Sequence, residues 1–285
     1  MIKKKAYAKL NLNLHIIPPK DNNDYYQVRF ISTQLALHDE LSFETIKHGI
    51  EVVCDHKEMP QQEDNLVYKA AVLLQKLNSK KRGIKVKIKK NIPIRAGLGG
   101  GSSDAAVAIN TLSELWNIRL TQKQRTFLAS ILGKDVHYSL TGGIAEIGGD
   151  GDRVMPLSFS VPKFWLVIIV PEEVKPSTSW MYKHINETKI GQHIRFLSKM
   201  KKAIKTNNKT EFFANIFNDF EEDVLRHFPI TLTMKQDLVN NGALKTLLCG
   251  SGLAMAGFFD NKRTASRVRE LLIDKYKDVL ISQLN

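Results

Sequence analysis

Between Pro93 and Ala106 the chain reads PIRAGLGGGSSDAA, with glycine at four of the five positions from 97 to 101 and two serines directly after them. Upstream, Ile84, Val86 and Ile88 alternate with Lys85, Lys87 and Lys89, the period of a strand with one wet face. Downstream, Ala105, Ala106, Ile109, Leu112 and Leu115 recur at helical spacing. The glycines therefore sit where a strand must turn into a helix. Glycine lets backbone approach a ligand and take up positive φ, and the first-turn N–H groups of a helix, with its dipole, favour an anion. Ser102 and Ser103 add hydroxyl donors. No GKS or GKT follows, which excludes a P-loop, and the segment is no GxGxxG of a dinucleotide-binding βαβ unit. A plain glycine turn is the alternative to a phosphate site.

The rest of the chain must be able to carry such a turn. Its 285 residues are about two domains' worth. With 43% apolar and 25% charged residues it is of ordinary globular composition, which argues against disorder. Cys54 and Cys249 fit no metal or redox spacing and read as reduced thiols. The longest apolar run, Phe164 to Val170, has seven residues, too few to cross a bilayer. Lys9 and Asn11 interrupt the only candidate for a leader segment, so a cytoplasmic protein without a membrane partner is expected. A formal charge of +13 admits nucleic acid or a phosphorylated ligand. The densest basic stretch, Lys80 to Lys90, is however the alternating strand, and a solvated sheet face is the simpler reading.

The pattern predicts strands over Tyr7–Ile17 and Thr33–Phe43, then a helix capped by Asp64 and carrying Leu66, Ala70, Leu73, Leu74 and Leu77. Thr121 and Gln124 form a capping box for a helix with Phe127, Leu128, Ile131 and Leu132, closed by Gly133. Phe164–Val170 reads as a buried central strand. Phe212, Phe213, Ile216, Phe217, Phe220 and Val224 mark one amphipathic helix ending before Pro229. Strands over Leu244–Cys249 and Ala254–Phe259 flank Gly250-Ser251-Gly252, and a last helix covers Arg263–Tyr276. Strands mixed with helices without regular βαβ alternation predict an α+β fold, with two domains, residues 1–155 and 156–285.

Three further features are ambiguous alone. Lys9, beside Asn11 in an apolar strand, points to solvent or into a site. Gly250-Ser251-Gly252 is a β-turn or a second ligand loop. Asp135, after the helix-closing Gly133, is an ordinary loop residue or an acid at a site. Taken with the glycine turn, these features resemble the GHMP small-molecule kinases over nearly the whole chain. Ala8-Lys9-Leu10-Asn11-Leu12 is similar to the family's opening motif and Asp64-Asn65-Leu66-Val67-Tyr68 to its adenine-side segment. Ala96 to Ala106 is similar to its phosphate loop, Gly133, Asp135, Val136 and Gly142-Gly143 to its GADVP and following GG, and Gly250-Ser251-Gly252 to its third motif. Within the family the motifs are most similar to the branch that phosphorylates the 2-hydroxyl of a cytidine diphosphate-linked polyol in non-mevalonate isoprenoid precursor biosynthesis. There are departures. Asp24-Tyr25-Tyr26-Gln27 stands for DGYH in a loop about two residues longer, Gly133-Lys134-Asp135-Val136-His137 for GADVP, and Gly149-Asp150-Gly151-Asp152 for GRGE.

The resemblance implies a two-domain α+β GHMP fold with the active site in the cleft between domains, and ATP with Mg²⁺ as cofactors. It implies that Pro93, Ala96, Gly97, Leu98, Gly99, Gly100, Gly101, Ser102 and Ser103 hold the ATP phosphates and that Asn65 and Leu66 face adenine. Asp135 would take or orient the proton of the attacking hydroxyl, and Lys9 would pair with it and stabilise the transferring phosphoryl group. Tyr26 and Tyr182 would sandwich the cytosine, whose edge Gln27 would read in place of the family's histidine. Asn11, Thr178, Gly250, Ser251 and Gly252 would line the acceptor. The metal ligands, the roles of Lys134 and His137 and the oligomeric state stay open. Two alternatives stand beside this reading: a GHMP kinase for mevalonate or a phosphomevalonate, for which an aromatic clamp has no purpose, and a non-catalytic basic protein that binds nucleic acid, which has no need of the glycine turn.

Overall fold

The computed structural model describes residues 1–19, 26–77 and 82–285. Asp24 and Tyr25 of the expected acceptor motif, and Lys80 and Lys81 of the basic stretch, lie outside the described residues. The chain divides into two compact units, one of residues 1–8, 37–94 and 99–142, the other of residues 9–36, 95–98 and 143–285. Two long strands, β1 (Ile2–Ile17) and β2 (Gln27–Ile46), contribute residues to both units. The expected division between residues 155 and 156 therefore falls inside the second unit. A single cut suits a chain that finishes one unit before starting the next, and this chain does not.

In the first unit β1 and β2 are joined by β3 (Ile50–Cys54) and β4 (Gly83–Lys89) in the order β3-β4-β2-β1. Antiparallel register sets Leu41 opposite Ile88 and Phe43 opposite Val86. The lysine stripe behaves as its period predicts. Ile84, Val86 and Ile88 are buried, while Lys85 pairs with Glu51 at 2.8 Å and Lys89 with Glu40 at 3.3 Å on neighbouring strands. On the apolar face lie Val67, Ala70, Ala71 and Leu74 of α1 (Leu66–Lys76) and Ala105, Ala106, Ala108, Ile109 and Leu112 of α2 (Gly100–Leu115). Small alanines let α2 sit close to its neighbours.

The cap of α1 is Asn65 rather than Asp64, because the Asn65 carboxamide oxygen accepts the Val67 N–H at 2.8 Å while Asp64 ends a preceding helical turn. The Thr121–Gln124 capping box opens α3 (Gln122–Leu132) as expected. Only Leu128 and Leu132 of its expected apolar stripe are buried, whereas Phe127 and Ile131 are half exposed. Gly133, at φ 142°, then closes α3 and opens α4 (Lys134–Thr141) with no loop between them. Asp135 accordingly stands in the first turn of a helix, not in a loop.

In the second unit β2 pairs with β5 (Ala145–Gly148), and β5 with β6 (Arg153–Pro156). A separate antiparallel sheet begins with β7 (Trp165–Val170), which is central and buried as its run of apolar residues predicts. Helices α5 (Thr178–Lys183), α6 (Arg195–Lys205) and α7 (Lys209–Ala214) follow. The single helix expected from Phe212 to Val224 is instead α7, a two-residue strand β8 (Phe217–Asn218) and α8 (Glu221–His227). The break has a clear cause. Phe217 and Asn218 pair in parallel with Asn13 and Leu14, and the Asp219 carboxylate accepts the N–H groups of Ile16 at 2.6 Å and Gly191 at 3.2 Å. Backbone spent on β1 cannot also close helical turns.

After α9 (Pro229–Asn240) come β9 (Lys245–Leu248), β10 (Met255–Phe259), α10 (Lys262–Leu272) and β11 (Asp278–Gln283), giving the sheet order β11-β7-β10-β9. The last helix thus stops at Leu272, short of Tyr276, and β11 adds a strand that the helical pattern concealed. Among the described residues no helix is long and apolar enough to cross a membrane.

Candidate active site

The second unit brings together motifs that lie far apart in sequence. The Gly97 backbone runs at φ 80°, and a Cβ there would stand 1.9 Å from the carbonyl oxygen of Cys249. A Cβ on Gly252 would stand 2.7 Å from the Ala96 carbonyl carbon. The two glycine turns therefore touch backbone to backbone, an approach that only glycine permits. Lys9 is the third member. Its N–H donates to the Leu98 carbonyl at 2.9 Å, its ammonium donates to Asn11 at 3.3 Å, and that ammonium lies 3.4 Å from where a Cβ on Gly250 would be. Lys9 and Asn11 are both buried, so the strand's polar residues face inward and not to solvent.

Sequence reasoning missed two residues here. Asn218 of β8 donates to the carbonyls of Leu248 at 3.0 Å and Gly250 at 2.7 Å, tying the third motif to β1 through a short strand no periodicity marks. Lys175, in the loop before α5, donates to the Ser251 hydroxyl at 2.8 Å, to the Ser251 carbonyl, and to the Thr178 hydroxyl at 3.5 Å. Thr178 and Ser251 share a hydroxyl–hydroxyl bond of 3.1 Å. Burial, and then the charge of Lys9, push the Lys175 ammonium down to about 8.

Tyr26 and Tyr182 also meet, as stacked rings with centroids 5.4 Å apart and planes 20° apart. Tyr26 donates its hydroxyl to Glu187, and burial followed by that bond pushes the phenol up to about 12. A base held between two rings needs about twice the ~3.5 Å carbon contact distance, so the observed spacing is roughly 1.5–2 Å too narrow to hold one. Gln27 is exposed at the start of β2.

In the first unit, Gly99 is in the left-handed conformation at φ 70° and no side chain caps α2. This leaves the N–H groups of Gly100, Gly101 and Ser102 to face outward as those of an anion site do, while the Ser103 N–H closes the first helical bond on the Gly99 carbonyl at 2.9 Å. Leu66 of α1 lies 3.7 Å from the Cβ position of Gly101, so the expected adenine-side and phosphate-side segments are neighbours. Asn65 is buried, with its carboxamide engaged by Val67 N–H and by the Pro60 carbonyl at 3.1 Å. Below the turn, Lys90 pairs with Asp39 at 2.5 Å and Asp104 at 2.9 Å, all three side chains being at most 3% exposed. Burial pushes the Asp104 carboxyl up, against the pull of Lys90. Asp135 is the acidic residue in the first turn of α4.

The sequence signature described as the GHMP kinases N terminal domain matches residues 65–148, which includes the α2 turn and Asp135. A 4-diphosphocytidyl-2-C-methyl-D-erythritol kinase of Clostridium botulinum is 36% identical over 280 residues, 98% of this chain and 98% of that protein. This chain belongs to that family, within the GHMP kinases. The crystal structure of a 4-(cytidine 5'-diphospho)-2C-methyl-D-erythritol kinase superposes with a TM-score of 0.85 at 26% identity, covering 100% of this chain and 99% of that one. A mevalonate kinase of L. major, solved with R-mevalonate, shares the fold, with a TM-score of 0.72 at 15% identity over 100% of this chain and 96% of that one. The α+β GHMP fold expected from the motifs is thus the fold observed.

Proposed function

We propose that the chain transfers the γ-phosphoryl group of ATP to the 2-hydroxyl of 4-diphosphocytidyl-2-C-methyl-D-erythritol, in isoprenoid precursor biosynthesis. The observation that carries this reading is the full-length identity to kinases of that name. The meeting of Lys9 with both glycine turns supports it. ATP enters as its magnesium complex. Among the described residues no three His, Cys, Asp or Glu side chains could hold a metal ion, and magnesium is commonly held by one or two carboxylates together with substrate phosphates.

Phosphoryl transfer needs in-line positioning and charge neutralisation more than covalent chemistry. The first turn of α2 binds ATP phosphates through its N–H groups, with Pro93, Ala96, Gly97 and Leu98 shaping the approach and Asn65 and Leu66 on the adenine side. Asp135 accepts the proton of the 2-hydroxyl as its oxygen attacks the γ-phosphorus. Lys9 neutralises charge on the transferring group. On the acceptor side Tyr26 and Tyr182 stack on the cytosine, Gln27 offers its carboxamide donor and acceptor to the base edge, and Asn11, Thr178 and the Gly250-Ser251-Gly252 turn line the polyol diphosphate. The reaction takes place in the cytoplasm, where Cys54 and the buried Cys249 stay reduced.

The test is ATP consumption by the purified protein with Mg²⁺, offered 4-diphosphocytidyl-methylerythritol, mevalonate or 5-phosphomevalonate. Turnover of the cytidylyl substrate alone is expected. Asp135→Asn should lower kcat by about 10²–10⁴-fold, the usual contribution of a general base, with ATP affinity nearly unchanged. Turnover of mevalonate in its place would transfer the reading to another GHMP acceptor.

A further inference from the structure

Lys175 lies outside the glycine motifs, in the loop before α5. Its neighbours are unusual for a half-buried ammonium. All three of its hydrogen bonds go to neutral oxygens of Thr178 and Ser251, and the charged group that perturbs it is another cation, Lys9. Buried charges are ordinarily paired with the opposite sign. Here two ammonium groups and two hydroxyls converge on one glycine-flanked turn, and no carboxylate pairs with Lys175 among the described residues. That is a positively charged site with hydroxyl groups beside it, complementary to a multiply charged oxyanion.

The position of α5 says which anion. Thr178 and Tyr182 are four residues apart on this helix and share one face, about 6 Å apart along the axis. Tyr182 stacks with Tyr26, while Thr178 bonds Lys175 and Ser251. A ligand with a base at one end and phosphates at the other would meet the rings and Lys175 in that order.

We propose that Lys175 is a substrate-binding residue that, with Ser251 and Thr178, holds the diphosphate of a nucleoside diphosphate-linked acceptor. The assignment rests on the acceptor reading above and adds to it the residue that recognises the phosphates. Binding neutralises the charge of Lys175, so the affinity of the site depends on that charge and not merely on the capacity of Lys175 to donate. Lys175→Gln keeps a donor and removes the charge, whereas Lys175→Arg keeps both.

The experiment has two arms. In the first, steady-state kinetics with 4-diphosphocytidyl-methylerythritol compare the wild type with both variants. Lys175→Gln should raise the acceptor KM by about 10-fold or more, as loss of a charge-assisted contact does, and Lys175→Arg by about threefold or less. The KM for ATP should stay within about twofold in both. An acceptor KM unchanged in Lys175→Gln overturns the assignment whatever happens to kcat. In the second arm, calorimetry measures binding of CDP and of cytidine without catalysis. The wild type should prefer CDP by about 10-fold or more, and Lys175→Gln should lose that preference while binding cytidine as before. Equal loss of both ligands marks a purely structural role and overturns the proposal. Should the wild type phosphorylate a different alcohol, the functional reading fails, and the CDP–cytidine comparison still decides Lys175: no preference for CDP in the wild type overturns it.

Discussion

Gly97 is the residue with the least freedom. Its φ of 80° and the 1.9 Å between its Cβ position and the Cys249 carbonyl leave no space for any side chain. Gly97→Ala must separate the two turns or deform both, at a cost on the order of 2 kcal/mol or more. Thermal denaturation should show the loss, and kinase activity should fall further than stability because Lys9 donates to the adjacent Leu98 carbonyl. A variant with the wild-type melting temperature and full activity would contradict that geometry. The glycine was legible in the sequence as a site of close approach, but its partner was not. Nothing in the residues 93–106 names Cys249, because backbone-on-backbone contact carries no side-chain signature. Lys9 was undecided between solvent and site for a similar reason. Alternation assigns a face to a strand residue, yet both faces of this stretch are buried. His15 shows the consequence: it is wholly buried with neither ring nitrogen hydrogen-bonded among the described residues, and burial, then His193 and Arg29, push it down to about 4. A buried neutral imidazole reads from sequence as any polar strand residue.

At the scale of elements, α2 is fixed to the end of β4 by the Lys90–Asp39–Asp104 cluster. Lys90 also lies 2.9 Å from the Cβ position of Gly100, so the same ammonium underlies the first residue of the helix. Lys90→Met leaves two buried carboxylates without a cation and should cost about 3–5 kcal/mol in chemical denaturation at neutral pH. The pH dependence follows from Asp104. Its carboxyl is raised above the ordinary value of 3.8, so the folded state holds a proton that the unfolded chain has released. Its contribution is therefore fully present below about pH 4 and is lost as pH rises toward neutrality. Asp104→Asn should accordingly gain stability relative to the wild type between pH 4 and pH 8, and a difference that shrinks over that interval would refute the raised carboxyl. Most elements were legible in advance: the α3 capping box, the lysine-striped β4 and the apolar β7 all follow from local pattern. The segment from Phe212 to Val224 was not. Its apolar spacing suits a helix, and only the pairing of Phe217 and Asn218 with a strand some 200 residues earlier breaks it. The cap of α1 moved by a single residue, since Asp64 and Asn65 are equally good caps by type.

At the scale of the molecule, the division into units cuts across the order of the chain. Residues 1–8 and 9–17 of one strand serve different units, and so do 37–46 and 27–36 of another. A fragment of residues 1–142 would contain every residue of the first unit and also the second-unit halves of β1 and β2, stripped of their partners β5 and β8. Exposed strand edges of that kind pair with other chains. The fragment should be recovered as aggregate, and a monomeric, cooperatively melting fragment would show the halves to be independent.

The placement of β8 beside β1 has a further consequence for biosynthesis. Asn13 leaves the ribosome early, while Phe217, its partner, emerges 204 residues later. At typical elongation rates that is about 10–40 s. For that interval the edge of β1 at Asn13 and Leu14 stays unsealed on the nascent chain, so a strand among the first segments made waits for one of the later ones to complete it.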